Sequence, residues 1–178
     1  MLKKTHRAFG FLASSLTLAA CTPLLYEGVC GGDLMTATTQ MILADGVAVL
    51  ASTWPDRLEI IHRGLSHSIW PVFLLGLALV PLLTHPLWFG VVLGILLGWF
   101  FHLFGDAFST AGIAWFYPFQ KYKRYGSGAF VVKGFRGPFL PLYKVGDESF
   151  SFMPAVWWVL GILAFLFLWY RLGELIID

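Results

Sequence analysis

The sequence predicts an all-α integral membrane protein, a bundle of about five transmembrane helices with a cytoplasmic cap loop. Of the 178 residues, 58% are hydrophobic and only 12% are charged, whereas about 25% of the residues in a soluble domain are usually charged. The apolar residues also occur in stretches of about 20, the helix length that crosses roughly 30 Å of hydrocarbon. At this length we expect a single transmembrane domain, residues 1–178.

Five apolar stretches define the predicted spans, at residues 8–26, 34–52, 69–84, 87–104 and 154–172. The second stretch is the least apolar and contains Asp45. Because an ionisable side chain facing lipid is costly, this segment must face protein or a wet cavity, or be re-entrant. Glycine, proline and aromatic residues fill the connection at residues 118–153, which we interpret as a cap or short hairpin on the membrane surface.

The basic residues predict the orientation, since cytoplasmic loops collect lysine and arginine. They precede the first span and recur in residues 118–153, whereas the turn at residues 27–33 has two acids and no base. We therefore expect a multi-pass protein of the cell (inner or cytoplasmic) membrane with a cytoplasmic N-terminus. Membrane lipid is the expected partner. A net charge of +2 without an aromatic-interleaved basic stripe predicts no nucleic-acid partner, and the oligomeric state is left open.

The first span has a second interpretation. Basic residues, an apolar run and then Leu18-Ala19-Ala20-Cys21 are also typical of a lipoprotein signal peptide, which would be removed at the cysteine. Small residues before a cysteine occur equally in transmembrane helices, where they allow close packing. A disulfide between Cys21 and Cys30 is a further alternative, if both lie at an oxidising surface.

The predicted topology brings ionisable residues of three separate segments to the cytoplasmic side. His6 precedes the first span, residues 54–68 connect the second and third spans, and His102 and Asp106 close the fourth. The candidates within the connection are Asp56, Glu59, His62, Arg63 and His67. Four of the five histidines therefore share one surface, and only His85 lies opposite.

The spacing of these residues favours a metal site. His102 and Asp106 are four residues apart, which places both on one face of a helix. Asp56, Glu59 and His62 step by three along the helix that a proline at position 55 is expected to begin. Imidazoles and carboxylates without thiolates suit Zn²⁺, with Mn²⁺ or Fe²⁺ as alternatives, and their number exceeds what one zinc takes, which allows for two ions.

Simpler interpretations stand beside this one. Asp56 and Glu59 can be the acidic first turn of a helix, where they favour its dipole. His62 and Arg63 can contact lipid phosphates at the interface. His6 can belong to a polar N-terminal tail.

The same residues carry a resemblance to a known family. Pro55-Asp56, the HRGLSHS sequence at residues 62–68, His102 to Asp106, the STAGI sequence at residues 109–113, and Pro118-Phe119 occur in this order. Together they resemble the membrane-bound metal-dependent hydrolases of the LexA-regulated inner-membrane type (YdjM-like), over most of the chain. That family often has Pro-Asp-x-Asp-His after its second helix, whereas the second acid here, Glu59, is displaced by one position.

The resemblance implies a hydrolase, in which a metal-activated water attacks an ester or phosphoester while the metal and Arg63 stabilise the negative charge. Glu59 is then the general base or a further ligand. A lipid or lipid-linked phosphoester is the expected substrate, because the site lies at headgroup depth. The expected metal ligands are His6, Asp56, His62, His67, His102 and Asp106.

Two other classes of function remain open. A metal-ion binding or transport protein without hydrolytic activity would use an ionisable residue within the membrane, and Asp45 is the feature that suggests it. A structural or membrane-remodelling protein would use its histidines only to contact lipid headgroups. Elemental analysis of purified protein separates this last class from the first two, because such a protein binds no stoichiometric metal.

Overall fold

The computed structural model describes residues 3–58, 64–107, 113, 115–119, 122–124, 130–132 and 153–177. Its helices are α1 (Lys3–Ala20), α2 (Leu34–Ala51), α3 (Trp54–Arg57), α4 (Ile69–Leu79), α5 (Pro86–Ala107) and α6 (Met153–Ile177). A π-helix (Leu24–Val29) and two 3₁₀ helices (Leu65–His67 and Val80–Thr84) lie in the connections. Strands β1 (Tyr122–Arg124) and β2 (Phe130–Val132) pair antiparallel, so the predicted cap loop contains a short hairpin.

Three of the described helices are long and apolar enough to cross a membrane, namely Leu34–Arg57, Trp88–Ala107 and Pro154–Glu174. The apolar helix Ile69–Leu82 is shorter than the roughly 20 residues that a span requires. Helix α1 has 18 residues and carries three basic residues in its first two turns. The described chain is thus a helical membrane protein with one small hairpin, and the five-span topology stays a prediction.

Helices α1 and α6 pack along each other and run in the same direction. Near their starts, the rings of Phe9 and Trp157 are 5.4 Å apart in an edge-on contact. Near their ends, Leu18 and Leu168 belong to the same buried cluster. Both helices therefore begin at one end of the bundle, which is the end where α2 finishes and α4 starts.

Helices α2 and α5 approach so closely that their backbones touch. Gly90, Gly94 and Gly98 recur every four residues on the face of α5 that meets α2. A methyl group added to Gly94 would lie 2.5 Å from the carbonyl oxygen of Ala44, and the amide of Gly90 donates a hydrogen bond to Oε1 of Gln40 at 2.9 Å. Small residues at such spacing are how membrane helices gain close packing.

Asp45, the one ionisable residue of α2, faces α1, so of the alternatives that the sequence left open the structure shows contact with protein. Its side chain is buried, and the hydroxyls of Ser14 and Ser15 donate to its two carboxylate oxygens. The Ser15 Oγ to Asp45 Oδ2 distance is 2.7 Å. The carboxylate is thus paired inside the protein, which avoids an unsatisfied buried group.

Both cysteines are free, so the alternative disulfide between Cys21 and Cys30 is not formed in this structure. Burial and the neighbouring Asp33 carboxylate raise the pKa of the Cys30 thiol above its usual range. The thiol is therefore protonated at neutral pH, and a protonated thiol is a poor nucleophile.

Candidate metal centre

Four separate elements bring histidines and carboxylates together at one end of the bundle. His6 lies in the first turn of α1, Asp56 in α3, and His67 at the end of the first 3₁₀ helix. His102 and Asp106 lie one turn apart near the end of α5. The Asp56 side chain is 23% exposed, whereas the other four residues are at most 3% exposed. The cluster is therefore enclosed on all sides except that of Asp56.

Asp56, His67, His102 and Asp106 form a compact group in which one ligand atom of each lies within 4.8 Å of the others. The two Nε2 atoms of His67 and His102 are 3.1 Å apart. Asp56 Oδ1 lies 3.3 Å and 3.5 Å from these nitrogens, and Asp106 Oδ2 lies 3.8 Å and 3.6 Å from them.

These separations fit one divalent ion. Two nitrogens bound to one zinc at about 2.0–2.1 Å with tetrahedral angles lie about 3.3 Å apart, close to the 3.1 Å between the Nε2 atoms of His67 and His102. Two imidazoles and two carboxylates are also a donor set that divalent metals accept. The four residues could therefore hold a metal ion, whose type the geometry leaves open.

The local sequence explains how α3 presents Asp56. Pro55 lies in the first turn of α3, where a missing amide hydrogen is tolerated. The helix ends at Arg57, and Leu58 no longer belongs to it. The prediction of one helix through Asp56, Glu59 and His62 was therefore wrong. Glu59, His62 and Arg63 lie outside the described residues, so the roles predicted for them stay predictions. Residues 109–112 of the STAGI sequence also lie outside the described residues.

Backbone and hydroxyl groups orient the two imidazoles of the compact group. Nδ1 of His102 lies 2.7 Å from the carbonyl oxygen of Ser52. Since a carbonyl only accepts hydrogen bonds, Nδ1 carries the proton and Nε2 presents its lone pair to the cluster. The Ser66 hydroxyl lies 3.1 Å from Nδ1 of His67, and the indole of Trp99 donates to the Ser66 carbonyl oxygen at 2.8 Å. This hydrogen bond connects the 3₁₀ helix that carries His67 to α5.

His6 contacts two members of the compact group but is not one of the four residues that surround the possible ion position. Its Nε2 atom lies 3.4 Å from Asp106 Oδ1, and its ring stacks on that of His102 with centroids 4.0 Å apart and planes at 21°. Within the described part of the chain, neither ring nitrogen of His6 forms a hydrogen bond, and neither does the buried Nε of Arg7. Arg7 is one of the basic residues before the first span from which the orientation was predicted, and no sequence signal indicated a role at this site.

His85 lies away from the cluster, as predicted. It is exposed and immediately precedes α5, at the opposite end of that helix from His102. His85→Ala can therefore serve as a control, because it removes a histidine that lies outside the cluster.

An apolar helical bundle with a buried imidazole and carboxylate cluster at one end defines a membrane protein with a candidate divalent-metal site. The family model described as YdjM inner membrane protein matches residues 1–175. The chain belongs to this family, and it is a protein of the inner membrane, as the sequence predicted. No curated protein and no solved structure matches it.

Proposed function

We propose that this chain is a membrane-bound metal-dependent hydrolase that cleaves an ester or phosphoester at the cytoplasmic membrane face. The observation that carries the proposal is the compact group around the His67 and His102 Nε2 atoms, 3.1 Å apart with a carboxylate oxygen of Asp56 and of Asp106 close to both. A divalent ion held there would lower the pKa of a coordinated water to about 7 and polarise the ester.

The uneven burial of the group supports access for a substrate. His67, His102 and Asp106 are enclosed, whereas the Asp56 side chain is 23% exposed. The substrate therefore approaches past Asp56, while the enclosed residues exclude water from the other sides. Electrostatic interactions in such a low-dielectric site are stronger than in water. Ser52 and Ser66 keep the two imidazoles in position while the reaction proceeds.

Arg7 supports a phosphoester over a neutral ester. A guanidinium is always charged, and a buried N–H donor without a partner is unfavourable. Arg7 follows His6 directly in α1, and its buried Nε has no hydrogen-bond partner among the described residues. A negatively charged phosphate of the substrate would supply one. The cluster lies where α2 and α5 end, which we expect to be the depth of the lipid headgroups. A membrane lipid or lipid-linked phosphoester is therefore the substrate we propose.

Zinc is the ion we propose for the site, because histidine and carboxylate ligands without thiolates are frequent in catalytic zinc sites, with Mn²⁺ or Fe²⁺ as alternatives. The resemblance adds Glu59 as the general base and Arg63 as a group that stabilises negative charge. Transport is less well supported. Ser14 and Ser15 already occupy both oxygens of Asp45, the ionisable residue that suggested it.

The test uses the full-length protein in detergent, with metal content measured by elemental analysis and hydrolysis followed on bis(4-nitrophenyl) phosphate and on phospholipid in mixed micelles. His67→Ala and Asp106→Ala are expected to lose both bound metal and hydrolysis, and His85→Ala is expected to keep both. Stoichiometric metal in both cluster variants would refute the site. Metal without hydrolysis of either substrate, together with metal uptake by reconstituted vesicles, would instead indicate transport.

A further inference from the structure

The ring of His6 is oriented toward a different point from that of the compact group. The lone pair of an imidazole nitrogen lies in the ring plane. The planes of His67 and His102 cross at 67°, so their lone pairs can meet at one ion. The planes of His6 and His102 are nearly parallel, at 21° with centroids 4.0 Å apart, so their lone pairs are directed to separate points.

The two oxygens of Asp106 are divided between these points. Oδ1 lies 3.4 Å from Nε2 of His6. Oδ2 lies 3.6 Å from Nε2 of His102 and 3.8 Å from Nε2 of His67. A carboxylate placed in this way can bind one ion with each oxygen.

We propose that the protein holds a second divalent ion between His6 Nε2 and Asp106 Oδ1, with Asp106 bridging the two ions. The inference rests on the proposed function for the first ion. The rings of His6 and His102 are stacked with centroids 4.0 Å apart, so ions held in the two ring planes would lie at separate points, as the ions of two-metal sites do at about 3.5–4 Å. His6 is 1% exposed, and Asp106 Oδ1 at 3.4 Å is its charged neighbour. Neither ring nitrogen has a well-formed hydrogen bond among the described residues, so Nε2 is available to bind an ion.

The second ion specifies the class of substrate. Two divalent ions carry four positive charges, whereas the carboxylates of Asp56 and Asp106 carry two negative ones. Arg7, which follows His6 in the chain, adds positive charge to the same end of α1. Among the described residues, the loaded site is therefore net positive. A phosphoester with negatively charged oxygens neutralises this charge, whereas a neutral carboxylic ester does not. Two ions also stabilise the attacking and the leaving oxygen of a phosphoryl displacement at the same time.

The experiment titrates Mn²⁺ into the metal-free, full-length protein in detergent and follows it by elemental analysis and electron paramagnetic resonance. We expect the unaltered protein to bind two ions per chain with a spin-coupled signal. His6→Ala is expected to bind one ion with the signal of an isolated Mn²⁺, and His85→Ala is expected to behave like the unaltered protein.

Failure of this inference is distinguishable from failure of the proposed site. Saturation of the unaltered protein at one ion, with the same single ion in His6→Ala and its loss in His67→Ala, would overturn the second ion and leave the first. Two coupled ions in His6→Ala would also overturn the assignment to His6. No bound ion in the unaltered protein would refute both. Circular dichroism verifies the helical content of each variant, and the titration of the unaltered protein needs no substitution.

Discussion

Ser66 contacts His67, one of the candidate metal ligands, on the side of the imidazole ring that faces away from the compact group. Its hydroxyl oxygen lies 3.1 Å from Nδ1 of His67, the ring nitrogen that points away from the compact group. Replacing Ser66 by alanine removes this contact without touching any of the four residues that could hold the ion. The imidazole then loses a group that sets its orientation, and we expect the affinity for metal to fall.

The structure sets the size of this effect. Partners behind a ligating histidine typically contribute 10- to 100-fold in metal affinity. The hydroxyl is an uncharged partner, and Ser66 is only half-buried, so water can replace part of the lost interaction. We therefore expect the lower end, about a tenfold rise in the dissociation constant for Ser66→Ala, which corresponds to about 1.4 kcal/mol.

A competition titration of the full-length protein against a chromophoric chelator measures this affinity. Ser68→Ala is the matched control, because the Ser68 hydroxyl is bonded in the same segment to the carbonyl oxygen of Leu65, at 2.6 Å, and not to a histidine. Its dissociation constant is expected to equal that of the unaltered protein. An equal loss in both variants would show that the integrity of the segment, and not the contact with His67, determines affinity.

Three further predictions concern the helix contact, the anion and the N-terminus. Gly94→Ala places a methyl group 2.5 Å from a backbone oxygen of α2 and should destabilise the fold by about 1–3 kcal/mol, seen as a lower melting temperature. Gly46→Ala, which adds its methyl to open space, should not. Arg7→Gln should raise KM for an anionic phosphoester about 10- to 100-fold, as expected for lost bonds to a charged group, with unchanged metal content. Arg171→Gln, near the end of α6 away from the cluster, should change KM little, and equal effects would exclude a specific role for Arg7. Mass spectrometry of the membrane protein should detect residues 1–20; a lipidated N-terminus at Cys21 would remove His6 and refute the two-ion site.

The sequence predicted that Asp56, His67, His102 and Asp106 lie at one end of the bundle, because that depends mainly on helix boundaries and charge. The four-residue spacing of His102 and Asp106 placed them on one helix face, and the alternation of spans placed Asp56 and His67 at the same end. Asp45 was expected not to face lipid, with protein, a wet cavity or a re-entrant segment as alternatives, and it is buried against protein. These inferences need only the period of a helix and the cost of exposing polar groups to lipid.

Other features depend on contacts that no local pattern encodes. The hydrogen bond from His102 uses the backbone carbonyl of Ser52, and any residue at that position offers such a group. The indole of Trp99 also reaches the Ser66 carbonyl only because the two segments pack together. The early end of α3 after Arg57 was missed because the three-residue spacing of Asp56, Glu59 and His62 resembled a longer helix.

The glycine contact between α2 and α5 also determines where one candidate metal ligand lies. A methyl group on Gly98 would lie 2.9 Å from the amide nitrogen of Ser52, the residue whose carbonyl oxygen holds the His102 ring one turn further along α5. Backbone touching backbone leaves no side chain that can adjust, so the helices cannot move closer, and separating them would break the bond to His102. The position of the His102 ring is therefore set by the contact between α2 and α5, and a side chain at Gly98 would displace a candidate metal ligand without replacing it.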